Sequence, residues 1–330
     1  MKFPKKSLTW LVTGVAGFIG SHILETLLAN NQRVLGVDNL FTGSTENLER
    51  VLRLVGRESW KNFSFYNEDI RDKEICNRLC KRSNLVLHQA AVGSVSRSIK
   101  DPNFSHDVNV NGFLNMLEAA KQSKCKRFIF ASSSSVYGND KSLPKIESVV
   151  GDPLSPYATT KKINEIYAEV YAKTYGLKYI GLRYFNVFGE RQDPNGPYAA
   201  VIPKWTESLL KRKKVYIYGD GKTSRDFCYV GNVVQANLRA ALTKNSIALN
   251  QIYNIAYGEK TSLNKLFKLI KSELNVKSEV KPVYEDFREG DIRHSHADIS
   301  KATKNLGYLP KYSIHDGIKK TLSWFKQDMN

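Results

Sequence analysis

The chain has 330 residues, of which 42% are hydrophobic and 25% are charged, an ordinary globular composition that excludes collagen-like and wholly disordered chains. A chain of this length buries enough surface to fold without a disulfide scaffold. No apolar run approaches the roughly 20 residues of a membrane span, and the first residues lead into a strand rather than a signal core. We therefore expect a cytoplasmic protein with no membrane partner.

The net charge is +18, from 50 Lys and Arg residues against 32 Asp and Glu residues, which raises the question of a nucleic acid partner. The basic residues are spread along the chain, and the one dense run, Lys211–Lys214, lacks interleaved aromatic residues. We interpret that run as a solvated helix end and expect no nucleic acid partner. The surplus positive charge would attract an anionic nucleotide substrate.

The four cysteines are scattered, and only Cys76 and Cys80 are close enough to share one helix face. We interpret all four as small apolar side chains in a reducing compartment, and we expect no metal site.

Short apolar runs rich in β-branched and aromatic residues alternate with helical patterns in the first half of the chain. The predicted strands are Leu8–Val12, Val34–Val37, Phe63–Tyr66, Leu85–Leu87, Phe128–Phe130 and Tyr179–Leu182. The predicted helices are approximately Phe18–Ala29, Thr45–Leu54, Lys73–Cys80, Phe104–Gln122 and Pro156–Tyr175. This alternation predicts an α/β fold of the Rossmann type, with a doubly wound parallel sheet and right-handed crossovers.

After Arg183 the chain changes to longer loops rich in Gly, Pro and Asn, which indicates a smaller second domain. A helix at Val230–Ala241 and a strand at Ile252–Ile255 restore the earlier pattern, so the two domains are expected to interleave. We assign 1–183 plus about 227–257 to a dinucleotide-binding domain, and about 184–226 plus 258–330 to a C-terminal substrate domain.

Three glycines, Gly14, Gly17 and Gly20, follow the first strand directly and open the first helix. Such a turn lets the backbone approach a pyrophosphate at a helix N-terminus, although the same spacing also occurs in plain tight β–α turns. Asp38 ends the second strand, where a carboxylate accepts ribose hydroxyls and repels a 2′-phosphate. The combination predicts NAD as cofactor in preference to NADP.

Tyr157 and Lys161 are four residues apart at the start of a predicted helix and therefore share a face. A nearby ammonium stabilises a phenolate and so helps a tyrosine act as a base, although the pair alone fits two surface residues equally well. A serine-rich run containing Ser133 follows the strand before this helix, at the sheet edge where doubly wound folds bind ligands.

Together these motifs resemble the extended short-chain dehydrogenase/reductases, and within them the NAD-dependent UDP-hexose 4-epimerases. The resemblance runs nearly end to end and includes Leu182–Gly189, Gly219–Gly221, Arg225–Phe227 and Arg288–Asp291. It implies catalytic roles for Ser133, Tyr157 and Lys161. It also implies NAD binding by Gly14, Gly17, Phe18, Ile19, Gly20, Asp38, Asn39, Asp69, Ile70, Gln89, Ala90, Ala91, Asn109, Tyr157, Lys161 and Tyr184. The implied UDP-sugar contacts are Gly93, Ser133, Ser134, Ser135, Tyr157, Asn186, Gln192, Ala200, Val201, Arg225, Arg288, Asp291 and Ser295.

Similar enzymes with other chemistry carry acids in the serine loop. The 4,6-dehydratases have an Asp-Glu pair where Ser134 and Ser135 stand, and the decarboxylases have Glu at the second position. Their absence here favours epimerisation, in which the hydride simply returns to C4. A one-way UDP-sugar oxidoreductase or decarboxylase remains the alternative enzyme, and an NAD-sensing nucleic-acid-binding regulator the alternative from another class.

The resemblance also bears on substrate and assembly. Similar epimerases restricted to plain hexoses have a bulky tyrosine where Ser295 stands, so N-acetylated UDP-hexoses or their uronic forms are expected, in a polysaccharide biosynthesis pathway. Gln192 and Asn186 would pair the acetamido group, with Ala200 leaving room. The apolar residues Phe104, Val108, Leu114, Leu117, Ile163, Ile166 and Val170 lie on two helices that pair in dimers of similar proteins, so a homodimer is expected, although both stripes also fit core faces.

Overall fold

Parallel strands form the centre of the molecule, a computed structural model that describes residues 3, 7–194, 200–276, 279–287 and 292–328. The strands are β1 (Thr9–Thr13), β2 (Arg33–Val37), β3 (Phe63–Tyr66), β4 (Leu85–His88), β5 (Arg127–Ser133), β6 (Tyr179–Tyr184), β7 (Val187–Phe188), β8 (Tyr216–Tyr218), β9 (Ser224–Arg225), β10 (Cys228–Tyr229), β11 (Gln251–Ile255), β12 (Thr261–Ser262) and β13 (Val283–Glu285). Seven of them make one parallel sheet in the order β11-β6-β5-β4-β1-β2-β3, which confirms the predicted doubly wound α/β fold.

Helices connect these strands. They are α1 (Phe18–Ala29), α2 (Thr45–Trp60), α3 (Lys73–Lys81), α4 (Val95–Lys100), α5 (Pro102–His106), α6 (Gly112–Gln122), α7 (Pro156–Tyr175), α8 (Val201–Leu210), α9 (Val230–Leu242), α10 (Leu263–Glu273), α11 (Ser300–Leu306) and α12 (Ile314–Asp328). The short strands pair outside the main sheet, β7 with β10, β8 with β13 and β9 with β12. None of the helices in the described ranges is both long and apolar enough to span a bilayer.

The sheet is buried on both faces, as expected for parallel strands covered by crossover helices. In β1, Trp10 and Val12 pack into one apolar cluster, whereas Leu11 packs into a second cluster that contains the cysteines Cys76 and Cys80. Burial raises the pKa of the Cys76 thiol to about 12, so this cysteine stays protonated and packs as an apolar side chain.

The predicted helix Phe104–Gln122 is wrong in detail. Its first segment, α5, begins at Pro102, because the Asp101 side chain accepts a hydrogen bond from the Phe104 N–H and Pro fits the first turn. A π-helical turn at Asp107–Asn111 then joins α5 to α6. A short additional helix, α4, precedes it and was not predicted.

The strand order places the candidate site. From β1 the chain adds β2 and β3 on one side, then crosses to β4, β5, β6 and β11 on the other. The crevice at the carboxyl ends of β1 and β4 is therefore the switch point, where doubly wound folds bind ligands. The division into two interleaved domains remains a prediction, although β11 pairs with β6 inside the main sheet.

Candidate active site

The glycine turn after β1 has a shape that side chains would destroy. Gly14 has a φ of +67°, and a Cβ atom there would approach the Ala90 backbone nitrogen to 2.8 Å. A Cβ on Gly20 would lie 2.0 Å from the Gly14 carbonyl oxygen. Gly17 caps α1 without a side-chain hydrogen bond, so the positive end of this helix faces the crevice.

Asp38 stands at the end of β2 beside this turn, as predicted. Its carboxylate accepts hydrogen bonds from the backbone N–H groups of Ala16 at 3.0 Å and Leu40 at 2.9 Å. Burial raises the pKa of Asp38, and these backbone bonds act in the opposite direction. The carboxylate therefore also holds the glycine turn in place, a second role that the sequence did not indicate.

Tyr157 and Lys161 lie on one face of α7, next to the end of β5. Ser155 caps the helix by accepting a hydrogen bond from the Ala158 N–H, and Pro156 occupies its first turn. The Lys161 Nζ atom donates to the Ala131 carbonyl at 2.8 Å and lies 5.9 Å from the centre of the Tyr157 ring. The i,i+4 spacing thus brings the phenol and the ammonium to the same crevice.

The charges of this pair depend on burial. Burial raises the pKa of Tyr157, while a hydrogen bond with Ser133 acts in the opposite direction. Burial lowers the pKa of Lys161 to about 8, and the negative charge of Glu165 opposes this. Lys161 therefore remains protonated at neutral pH and keeps a positive charge beside the phenol.

Ser133 ends β5 with its hydroxyl in a defined arrangement. Its Oγ atom accepts hydrogen bonds from the Ser135 N–H at 3.1 Å and from the Ser135 hydroxyl at 2.9 Å. With both acceptor positions engaged, the Ser133 proton is available for an oxygen in the crevice. Ser135 thus orients the catalytic hydroxyl.

Two adjoining clefts make up the site. The first cleft, of about 450 Å³, contains these groups and most of the residues expected to bind NAD. Its lining includes Gly14, Gly17, Phe18, Ile19, Gly20, Asp38, Asn39, Asp69, Ile70, Gln89, Ala90, Ala91, Gly93, Ser133, Tyr157, Lys161, Tyr184, Asn186 and Gln192. The second cleft, of about 420 Å³, is lined by Ala200, Val201 and Arg225 among others. Asn186 and Val187 line both, so the two clefts meet there.

Some expected site residues do not line either cleft. Asn109 is buried in the π-helical turn and holds the backbone of Val92 with two side-chain hydrogen bonds of 2.7 and 3.1 Å. Ser134 and Ser135 lie in the 3₁₀ turn behind Ser133. Asn109 and Ser135 therefore act through their contacts as supports of the site in this structure.

The position of Ser295 differs most from the sequence expectation. Its backbone N–H donates to the Ser224 carbonyl at 3.0 Å, and its side chain is absent from the described walls of both clefts. Arg288 and Asp291, also expected to contact UDP, lie outside the described residues.

Arg225 and Asp226 are adjacent in the sequence, but their side chains make different contacts. Asp226 is fully buried and accepts hydrogen bonds from the backbone N–H groups of Tyr257, Gly258 and Ala297. The Arg225 guanidinium donates to the Ser224 carbonyl and lines the second cleft. Asp226 is therefore structural, whereas Arg225 is placed to meet a ligand.

Much of the second cleft was missed in the sequence. The helix α8 contributes Lys204 and Trp205, and the β8 region contributes Lys214 and Tyr216. Lys214 belongs to the basic run interpreted above as a solvated helix end; it is exposed, as that interpretation expects, and it also lines the second cleft. The basic run at a helix–strand junction is the one sequence feature that could have indicated this part of the second cleft.

The model of the NAD-dependent epimerase/dehydratase family matches residues 10–256. The chain belongs to this family. NAD is its cofactor. The first cleft fits NAD because its wall includes a glycine turn packed too tightly for a Cβ at Gly14 or Gly20, with Asp38 at the end of β2.

Three relatives show how similar the chain is to characterised proteins. A putative UDP-glucose 4-epimerase from Methanocaldococcus jannaschii is 41% identical over 320 residues, covering 96% of this chain and 98% of that protein. The structure of a UDP-glucose 4-epimerase from Thermotoga maritima with UDP-glucose has 40% identity and a TM-score of 0.89, covering 98% of this chain and 100% of the other. The structure of a UDP-N-acetylglucosamine 4-epimerase from Methanobrevibacter ruminantium, in complex with UDP-N-acetylmuramic acid, has 38% identity and a TM-score of 0.90, with the same coverage.

Proposed function

We propose that this protein catalyses the C4 epimerisation of a UDP-hexose with tightly bound NAD. The observation that carries the proposal is the convergence of Ser133, Tyr157 and Lys161 in one cleft with the glycine turn. This cleft opens into a second cleft with the cations Lys204, Lys214 and Arg225. A diphosphate suits these cations, because a guanidinium and ammonium groups pair with phosphate oxygens.

The residues divide the chemistry between them. Tyr157 takes the proton of the sugar 4-hydroxyl, and the Ser133 hydroxyl donates to the same oxygen. Lys161 holds a positive charge beside the phenol, which stabilises the phenolate. Bound NAD would supply a positive ring that accepts a hydride from C4 and returns it. The cleft would let the 4-keto sugar turn to present its opposite face, and Tyr157 would give its proton back to the sugar oxygen, so the product is the C4 epimer without net redox change.

The distribution of acids opposes dehydration and decarboxylation. Within the described lining of the first cleft, the carboxylates are Asp38, Glu68 and Asp69. They follow β2 and β3, on the far side of β1 from β5 and Ser133. No described carboxylate of this cleft therefore stands at the serine loop, where elimination requires one. A regulator that only senses NAD would not need the positioned tyrosine and lysine.

The sugar specificity follows from Gln192. Its Nε2 atom donates to the Val187 carbonyl at 3.2 Å, but its Oε1 atom is buried without a hydrogen-bond partner in the first cleft. A buried acceptor without a donor costs about 1–3 kcal/mol, so a substrate that supplies an N–H is favoured. We therefore propose N-acetylated UDP-hexoses as the preferred substrates, on the evidence of Gln192 rather than Ser295.

The Gln192→Leu variant tests this preference. We expect kcat/KM for UDP-GalNAc to fall by about 5- to 150-fold, the equivalent of about 1–3 kcal/mol, and kcat/KM for UDP-galactose to fall much less. The substrates are incubated with holoenzyme and the C4 epimers are resolved by NMR. UDP-galactose serves as the internal control for loop damage, because Gln192 also holds Val187. An equal loss with both substrates would refute the specificity, and no epimer from any UDP-hexose, uronic forms included, would refute the proposed function.

We also propose a homodimer built on α7 and its neighbours. Ile166 and Val170 of α7 are 51% and 45% exposed, and their four-residue spacing places these two aliphatic side chains together on one helix face. The other expected stripe is partly wrong, because Val108 and Leu117 are buried in the core of the chain itself. Light scattering at micromolar concentration is expected to show a dimer for the wild type and a monomer for the Ile166→Glu variant. A monomeric wild type would contradict the proposal.

The remaining proposals concern organisation and location. We propose that 1–183 with about 227–257 binds NAD, and that about 184–226 with 258–330 binds the UDP-sugar. The placement of Arg225 and Ala200 in the second cleft supports this division. We propose a cytoplasmic location, in keeping with four cysteines that are all unpaired and buried.

A further inference from the structure

A buried polar network lies directly beneath the serine loop. Its centre is Glu165 of α7, which follows Tyr157 and Lys161 at intervals of four residues and so continues their helix face. The Ser132 hydroxyl donates to Glu165 Oε1 at 2.6 Å, and Arg183 of β6 donates from Nε at 2.9 Å and from Nη2, to Oε2, at 2.8 Å. Every oxygen of this carboxylate therefore has a donor.

The network is buried. Glu165 and Arg183 are 6% and 3% exposed. The Nη1 atom of Arg183 donates to the Glu147 carbonyl at 3.1 Å. The central carbon of the guanidinium, Cζ, lies 4.9 Å from the centre of the Tyr137 ring. Burial lowers the pKa of Arg183, but the hydrogen bonds with Glu165 outweigh it and the net shift is upward. A bidentate guanidinium requires an ionised carboxylate, so Glu165 carries a buried negative charge.

This charge lies one helical turn from Lys161, on the same face of α7. Burial lowers the pKa of Lys161 to about 8, and Glu165 is the charge that opposes the shift. On β4, His88 is neutral because burial, and then Lys161, lower its pKa to about 3. Burial raises the pKa of Tyr179 on β6 to about 12, with Glu169 and then Glu165 acting in the same direction, so this phenol is uncharged.

The network also reaches the catalytic hydroxyl. Ser132 directly precedes Ser133, and Ala131, whose carbonyl accepts the Lys161 ammonium, directly precedes Ser132. A single carboxylate thus supports the backbone that carries the Ser133 hydroxyl and lies near the ammonium beside the base.

We propose that Glu165, clamped by Arg183 and Ser132, is a positioning residue of the epimerisation site, which holds the serine loop in place and keeps Lys161 in its charged form. The proposal rests on the proposed function. It predicts that loss of the Glu165 charge moves the alkaline limb of the pH profile of kcat/KM. Loss of the Ser132 hydroxyl is predicted to lower kcat without moving that limb.

The first test is the pH dependence of kcat/KM of the holoenzyme. Activity requires protonated Lys161, so it falls at alkaline pH as Lys161 loses its proton. In Glu165→Gln the ammonium loses its anionic support, and we expect the alkaline limb to move to lower pH by roughly half a unit or more. In Ser132→Ala the charge remains, so kcat is expected to fall while the alkaline limb stays in place.

Glu165→Gln leaves Arg183 as an unpaired buried charge, which can prevent folding. The double variant Glu165→Gln/Arg183→Gln removes both charges and avoids this cost. Its alkaline limb is also expected at lower pH, because the variant removes the carboxylate that lies one helical turn from Lys161 on the same face of α7 and opposes the lowering of its pKa. Alkaline limbs that coincide with the wild type in both variants, or that move equally in Ser132→Ala, would overturn the proposal.

A second readout separates this proposal from the proposed function. The ¹³Cε NMR signal of Lys161 in ¹³C-lysine-labelled protein, assigned by its absence in a Lys161→Arg variant, reports deprotonation of this buried amine without any turnover. The midpoint of its pH titration is expected at lower pH in Glu165→Gln and in the double variant than in the wild type. This result would stand even if the wild type epimerised no UDP-sugar, and an unchanged midpoint would overturn the proposal even in an active epimerase.

Discussion

The Tyr157→Phe variant is expected to keep its bound NAD and to lose about 10²–10⁴-fold in kcat, the usual contribution of a general base. The phenylalanine ring still packs at the start of α7, but no atom remains to take the proton of the 4-hydroxyl. The variant is measured as NAD content of the purified protein and as turnover of UDP-GalNAc by NMR.

A matched control makes the same Tyr→Phe change elsewhere on α7, away from both clefts. Tyr167 lies on the same helix and packs against the core, outside the described lining of both clefts. Tyr167→Phe is therefore expected to retain wild-type turnover within about twofold, since surface and partly buried substitutions without a named mechanism change little. Turnover of Tyr157→Phe within about tenfold of wild type would remove Tyr157 from the role of base.

The Gly20→Ala variant is expected to lose both NAD and stability. A Cβ atom at Gly20 would lie 2.0 Å from the Gly14 carbonyl oxygen. The other atoms near it are also backbone atoms, which cannot move aside as the end of a flexible side chain can. We expect a loss of about 3 kcal/mol or more in the free energy of unfolding, with the glycine turn displaced from the cofactor cleft. Chemical denaturation and NAD content measure the two effects.

Gly17→Ala is the control for this effect. A Cβ at Gly17 lies 3.2 Å from the same carbonyl oxygen, a distance that a small shift relieves. Its loss is expected to stay near 1 kcal/mol, the usual cost of alanine at a helix N-cap. If Gly20→Ala were as stable as Gly17→Ala and retained NAD, the close packing of the glycine turn would not be what forms the cofactor site.

The sequence predicted the main sheet and the face shared by Tyr157 and Lys161 because both depend on local periodicity. Alternating apolar strands and helices specify a parallel sheet, and a four-residue spacing specifies one helix face. The glycine turn, Asp38 and Ser133 lie at strand ends, so the sheet itself brings them together at the switch point.

The rest depends on contacts between distant segments. The second cleft forms where α8 and the β8 region meet Arg225, and no local pattern marks Lys204 or Trp205 as its lining. Ser295 was expected in the sugar pocket but is held beside Ser224 by a backbone hydrogen bond. The support of Ser133 by Ser135, and of Ser132 by Glu165, depends on side-chain directions that spacing alone does not specify.

The fate of a deuterium atom at C4 tests the central claim most directly. UDP-GalNAc labelled with deuterium at C4 is incubated with the holoenzyme in ordinary water, and the C4 epimer is examined by proton NMR and mass spectrometry. The account predicts that the epimer keeps its deuterium, because the hydride that leaves C4 returns to C4 inside a closed cleft. An epimer that carries a C4 proton from water would contradict it.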